Sequence, residues 1–349
     1  MAGPKKAPTI QDVARLAQVS AATVSRVITS PERVSETTRT RVVEAIRLTG
    51  YTLNQAARSL RLRAASTILV ALPDIGNPFY SNILDAAVDE AGARGYGILV
   101  ANRFAGDASR LLNKYFLSSR ADGLLLFDGG VDTSLLNVLA TPSGHLPLVV
   151  SFDEMPSTQV AAVLIDNFEA AIRATTHLIE LGHTRIGHIV GPSRDGKPNQ
   201  RFLGFQRAMQ RAGLELRPDW LWEGDYSTPG GEAAAEAMLA LADRPTAVFS
   251  GNDEMAIGLL SRLRRAGIDC PRDISVIGFD DIPVSAHFWP RLTTMRQPRE
   301  QIGRLMADSL IDILEGHAAA AAPRRITLRA DLVLRESTRS IADKSGALR

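Results

Sequence analysis

The sequence predicts a multi-domain chain: a small all-α head carrying a helix-turn-helix, followed by a larger α/β core of two lobes. Three observations carry this expectation. At 349 residues the chain exceeds one typical domain. Its charge is segregated: residues 1–65 hold 11 Lys and Arg against 4 Asp and Glu, leaving 29 against 34 for the remainder. From Thr67 onward, short helical periodicity gives way to β-rich runs alternating with helical ones. A basic head on an acidic body is the charge pattern of a nucleic-acid-binding module joined to a second function. A solubilising basic tail is the competing reading, and the pattern inside the head decides between them.

The first helix is expected to start at Thr9, with Asp12 three residues on completing a capping box, and to bury Val13, Ala14 and Ala17. Gln18 and Val19 form the turn. Ser20 caps a second helix with Val24, Val27 and Ile28 at core spacing, and Pro31 ends it. Ser35 caps a third helix through Arg39, Val42, Val43 and Ile46, stopped by Gly50. None of these helices is long enough to be stable alone. Together, Val13, Ala17, Val24, Val27, Val42 and Ile46 can close a miniature core. The second helix then presents Ser20, Ala21, Ala22, Ser25, Arg26 and Thr29 outward. Small residues let a helix approach a major groove closely, alanines can meet a thymine methyl, and Arg26 can reach a guanine edge or a phosphate.

The residues Thr9–Ala14, Val19–Val27, Val34-Ser35, Thr38-Arg39, Val43, Ala45, Gly50-Tyr51, Asn54 and Ala57–Leu60 closely resemble the head of the LacI/GalR family of transcriptional regulators. The resemblance adds Thr9 and Ser35 to the candidate DNA contacts. It also implies that Asn54–Arg61 is a hinge helix that folds on DNA, with Asn54, Ala57 and Leu60 at the duplex and Leu60 wedged into the minor groove. An apolar wedge costs a few kcal/mol of base unstacking, offset by the contacts a bent duplex permits. A plain polar linker with Leu60 packed on the core is the alternative.

In the body, strands are expected at Thr67–Leu72, Gly97–Ala101, Gly123–Phe127, Leu148–Phe152, Ala162–Ile165, Arg185–Val190, Ala247–Ser250 and Ile274–Phe279. Helices are expected at Tyr80–Arg94, Ala170–Leu181, Phe202–Ala212, Gly231–Leu241 and Glu254–Ala266. Such alternation implies parallel sheets wrapped by helices, and too many strands for one sheet implies two lobes. The resemblance extends here through Asp74–Tyr80, Ile165–Asn167, Leu181–Gly187, Asn252–Gly258, Asp273–Asp281 and Gln297-Pro298. It implies a periplasmic-binding-protein-like core of two Rossmann-like lobes, entered three times by the chain. The expected layout is a head at 1–52, a hinge at 53–65, one lobe from 66–165 and 293–322, the other from 166–292 and 323–341, and a tail at 342–349. Within the family, Asp74–Phe79 and Ile165–Asn167 most resemble the cytidine-repressor branch.

Ligands of open α/β sheets bind beyond the C-terminal strand ends. There, Asp280 can accept from two adjacent hydroxyls, Arg201 offers a planar fork of donors, and Asn252 can both donate and accept. Phe79, Tyr80 and Tyr226 can cover a flat ring face. The resemblance places all six at effector-contacting positions, with either Phe152 or Asp153 facing the cleft, depending on a one-residue gap. Structural alternatives stand beside each: Asp280 and Asn252 as helix caps, Arg201 bridging to a carboxylate, the aromatics as core, Lys197 as a solvated lysine. The expected function is sequence-specific operator binding by a cytoplasmic homodimer, with repression controlled by a small effector, a nucleoside or a sugar. A periplasmic-type solute-binding protein is the alternative, disfavoured because no apolar leader precedes the head.

An enzyme is not expected. The sequence has no phosphate-loop motif, no glycine-rich dinucleotide fingerprint and no Cys/His metal spacing, so no cofactor or metal is assigned. His177, His183, His188 and His287 stand alone. The single cysteine, Cys270, forms no internal disulfide, which fits a reducing compartment.

Overall fold

The computed structural model describes residues 8–51, 64–102, 114–127, 146–152, 160–192, 199–317 and 324–341. The chain divides into two compact units, one ending at Ala65 and one beginning at Ser66.

The first unit is helical. α1 (Ile10–Ala17) begins where the Asp12 carboxylate accepts from the Thr9 N–H at 2.9 Å and from the Thr9 hydroxyl at 2.7 Å. It ends in a left-handed residue, Gln18. α2 (Ala21–Thr29) is capped as expected: Ser20 Oγ accepts from the Thr23 N–H at 3.1 Å. A short 3₁₀ turn at Pro31–Arg33 leads to α3 (Glu36–Thr49), which stops at Gly50 with φ +65°. Ser35 precedes α3 without capping it, its hydroxyl donating instead to Thr38 Oγ1 at 3.0 Å. The core is Val13, Ala14, Ala17, Val24, Val27, Val42 and Ala45, with Ile46 half-buried. Val43 faces solvent, and Ala45 joins the core, because the α1 side of α3 runs through Val42, Ala45 and Ile46.

Among the described residues, the second unit holds two six-stranded sheets. In the first, β1 (Thr67–Leu72), β2 (Gly97–Asn102), β3 (Gly123–Leu126), β4 (Leu148–Ser151), β5 (Ala161–Ile165) and β11 (Arg325–Leu328) lie in the order β11-β5-β4-β3-β1-β2, all parallel. In the second, β6 (Ile186–Val190), β7 (Leu221–Glu223), β8 (Ala247–Ser250), β9 (Ser275–Asp280), β10 (Thr293–Arg296) and β12 (Asp331–Val333) lie in the order β12-β10-β9-β8-β6-β7. Only β12 runs antiparallel. β1, β3, β4 and β5 are apolar on both faces, as expected of parallel strands covered by helices.

α4 (Ser81–Ala93) and α9 (Arg299–Glu315) pack together beside the first sheet. α5 (Asn167–Glu180) pairs with α6 (Gln200–Arg211), and α7 (Thr228–Leu239) with α8 (Asp253–Arg265), around the second. Gly303 sets the α4–α9 approach: a methyl group there would collide with the Ile83 carbonyl.

Of the three crossings between lobes, the first falls at the expected boundary and the other two differ. The first follows β5 at Asp166. The second follows β10, so Thr293–Arg296 lies in the second sheet and not the first; the third follows β11, so Arg325–Leu328 lies in the first sheet and not the second. Both strands have only four residues and are half polar, too short for a period-two signal.

Candidate functional site

Two surfaces carry the chemistry, one in each unit. On the head, α2 exposes Ser20, Ala22 and Arg26, while Ser25 is half-buried. Ala21 is not outward as expected: it is half-buried against the head core, because it shares the helix face of Val24 and Ile28. Each of the head's four carboxylates lies beside an arginine: Asp12 with Arg15, Glu32 with Arg33, Glu36 with Arg39, Glu44 with Arg47. Arg26 has no carboxylate partner among the described residues, leaving its guanidinium available at the exposed face of α2. Asn54, Ala57, Leu60 and the side chain of Thr29 lie outside the described residues.

In the second unit the expected effector residues gather at C-terminal strand ends. In the first lobe four rings meet. Phe79 stands edge-on to Tyr80 (centroids 5.2 Å apart) and to Phe152 (5.3 Å); Phe127 lies 5.8 Å from Tyr80 and 5.9 Å from Phe152. Phe79 is held in place by a 3₁₀ turn (Pro78–Tyr80) whose cap, Asn77, accepts from the Phe79 N–H at 2.8 Å. Phe152 follows β4 with φ +72°, a left-handed conformation unfavourable for a bulky residue. Its neighbour Asp153 lies outside the described residues, as does Lys197. Phe127 was read from the sequence only as the end of a strand; its place beside Phe152 depends on the β3–β4 pairing, which no local pattern shows.

In the second lobe, Arg201 enters from the first turn of α6. Its Nε donates to Asn167 Oδ1 at 2.9 Å, Nη1 donates to the Gly251 carbonyl and lies 3.6 Å from Asp280 Oδ1, and the guanidinium sits over the Phe279 ring at 3.7 Å. Asn199 orders this corner, accepting from the Arg201 N–H at 2.9 Å and donating to the Tyr226 hydroxyl at 2.8 Å. Asn252 behaves as the cap alternative describes. Its Oδ1 accepts from the Met255 N–H at 3.0 Å and its Nδ2 donates to the Tyr226 carbonyl at 3.0 Å. Tyr226 itself has φ +66°.

Asp280 is buried at the end of β9 with φ +117°, accepting from Gln297 Nε2 at 2.6 Å. Burial pushes its carboxyl up to about 6, against the opposing pull of Arg201 and Gln297. The same low-dielectric end holds two further acids. Asp253 is raised to about 7 by burial and by Asp280, although the Thr294 and Ser285 hydroxyls donate to it at 2.6 and 2.7 Å. Glu254 is raised to about 7 by burial and by Asp280, Asp74 and Asp225. Closely spaced carboxyls in a poorly hydrated site share protons rather than ionise together.

The arrangement pairs a wall of aromatic rings with buried, hydrogen-bonding charge, a composition suited to a flat or hydroxylated small molecule. No group of His, Cys, Asp and Glu among the described residues could hold a metal ion.

Known families match parts of both units. Residues 9–54 match the model of bacterial regulatory proteins of the lacI family, and residues 175–338 match the periplasmic binding protein-like domain. The chain is 35% identical to the HTH-type transcriptional repressor CytR of Escherichia coli K12 over 338 residues, 96% of this chain and 97% of that protein. Among solved structures, the lac repressor dimer bound to operator and an anti-inducer is similar at a TM-score of 0.82 and 28% identity, covering 96% of this chain and all of that one. A complex of the transcriptional regulator CelR with cellobiose is similar at a TM-score of 0.70 and 33% identity, covering 95% and 99%. With a regulatory head, a two-lobed binding core and this extent of identity, the chain belongs to the lacI family of bacterial regulatory proteins.

Proposed function

We propose that this protein is a homodimeric, operator-binding transcriptional repressor whose DNA affinity is set by a small molecule held between its two α/β lobes, and that it acts by binding and not by turnover. The observation that carries the reading is α2: a capped helix with small residues at its N-terminus and an exposed Arg26 that has no carboxylate partner among the described residues, in a head matching the lacI family. Ser20, Ala22, Ser25 and Arg26 read the major groove, with Thr9 and Ser35 at the backbone. The hinge residues Asn54, Ala57 and Leu60 act at the minor groove. Two-fold symmetry of the protein requires a pseudopalindromic site, and the similar lac repressor is a dimer when bound to its operator. No helix among the described residues is long and apolar enough to cross a membrane, and the place of action is the cytoplasm, where the DNA is.

The effector is a nucleoside or a sugar. Phe79, Tyr80 and Phe152 supply the apolar wall, backed from the core by the fully buried Phe127, and Asp280 with Arg201 takes hydroxyls. Asn252 serves by orienting Tyr226. Four rings on one side favour a planar base over a fully hydroxylated ligand.

The test is to enrich a duplex from a random-sequence pool with the wild-type protein and measure affinity for it by fluorescence anisotropy. Arg26→Ala is expected to bind that duplex about 5- to 150-fold more weakly, the equivalent of about 1–3 kcal/mol for one lost base contact. Equal binding by the variant contradicts the role of α2.

A further inference from the structure

We propose that Asp281, a residue with no expected contact to effector or DNA, is the positioning residue that joins the effector site to the three chain crossings between the lobes. The proposal deepens the function above and rests on it.

Asp280 and Asp281 are consecutive non-glycine residues with φ +117° and +54°. Such backbone is unfavourable for residues with a Cβ and persists only where surrounding bonds over-determine it. The bonds on this pair include one from the Asp281 N–H to the Thr294 hydroxyl of β10 and others from the end of β10, the second crossing that follows it and the segment past β12. Arg296 closes β10 and Arg299 opens α9, so they flank the second crossing. Arg296 Nε donates to Asp281 Oδ2 at 2.6 Å, and Arg299 Nη2 donates to the Asp281 carbonyl at 2.7 Å. Between them, Gln297 donates to Asp280. Arg335 follows β12, the strand into which the third crossing leads; its Nη2 donates to Asp281 Oδ1 at 2.5 Å and its Nη1 to the Leu292 carbonyl at 2.7 Å. The first crossing, at Asp166-Asn167, reaches the same place through Asn167, Arg201 and Asp280.

The two aspartates divide the work. Asp280 faces Arg201 in the candidate effector site, whereas both oxygens of Asp281 are taken by Arg296, where β10 gives way to the second crossing, and by Arg335, past the strand that the third crossing enters. Burial opposes ionisation of Asp281, and Arg296 and Arg335 outweigh it, holding the carboxyl below its usual range. The joint also has bonding capacity to spare. Gln297 Oε1 and Arg299 Nη1 are buried without a hydrogen-bond partner among the described residues. A group that is under-satisfied in one arrangement lowers the cost of a second one, which is what an element with two states requires. A ligand that pulls on Asp280 therefore pulls on the backbone of Asp281, and through it on the second crossing and on the segment that follows the third.

The experiment uses the full-length protein and the duplex enriched by the wild type, with no ligand added. Removing the charge of Asp281 alters the balance between lobe arrangements, and operator affinity reads that balance. Asp281→Asn is expected to change operator affinity at least fivefold in the fully folded protein, and Asp281→Glu to restore it to within twofold. A merely structural role lowers Tm and leaves the affinity of the folded protein alone. Should the Asn variant fail to fold, Arg335→Lys and Arg296→Gln each loosen one arm and are expected to shift affinity in the same direction by a smaller factor. Folded variants that all bind within twofold of the wild type overturn the proposal and leave the repressor reading intact. A wild-type protein that enriches no duplex overturns the repressor reading itself.

Discussion

His188 shows how far one side chain can depart from its solution behaviour. It lies fully buried in β6, stacked on Phe205 (4.9 Å) and Phe249 (4.7 Å). Its Nδ1 is 2.7 Å from the Phe249 carbonyl. A carbonyl only accepts, so Nδ1 carries the proton and the buried Nε2 keeps an unpartnered lone pair. Burial pushes this imidazole down to about 4, Arg201 adding to the effect and the Phe249 carbonyl opposing it. A histidine depressed in the folded state binds more protons when unfolded. Its contribution is therefore complete above pH 6.5 and lost as the pH falls from 6.5 through 4. Asp253 and Asp280, raised to about 7 and about 6, act in the opposite sense, losing stability as the pH rises from about 4 to 7. Replacing His188 with Leu removes the first effect alone. Relative to wild type, His188→Leu is expected to be about 2 kcal/mol better off at pH 5 than at pH 7.5, measured by urea unfolding of the core at both values. An equal difference at the two pH values refutes the assignment.

At the scale of elements, helix pairs approach closely because glycine lies at their crossings. Gly303→Ala forces a methyl group onto the Ile83 carbonyl between α9 and α4, and is expected to cost about 1–3 kcal/mol. A thermal melt checks this, and an unchanged Tm means the helices can separate freely. Much of this architecture was legible in the sequence: all three head helices, eight strands and five core helices stand within a few residues of where periodicity put them. α9 was not read, although Ile302, Met306 and Leu310 recur at helical spacing and are buried. β7, β10, β11 and β12, of three or four residues each, offered no pattern to read. From local pattern alone, Asp280 and Asn252 were legible only by their place at strand ends, and the family resemblance supplied the rest of the effector set. Which rings meet, and that Asn252 spends its side chain on a cap and on Tyr226, follow from pairings distant in sequence. The joint was illegible for the same reason, since Asp281 finds its arginines 15 and 54 residues away.

For the whole molecule, the second unit combines two properties that a ligand-controlled switch needs. The lobes are separately built, each with its own sheet, so they can reorient without unfolding. The crossings that join them converge on the residue pair that includes Asp280. An effector can shift operator affinity only by its differential affinity for two lobe arrangements, and the effect must be reciprocal. The most direct test screens cytidine, adenosine, D-ribose and cellobiose for thermal stabilisation of the protein, then measures operator affinity by anisotropy with and without the ligand that binds. Operator affinity is expected to change at least fivefold on saturation, and ligand affinity by the same factor when operator is bound. A ligand that saturates the core while operator affinity stays constant contradicts the mechanism.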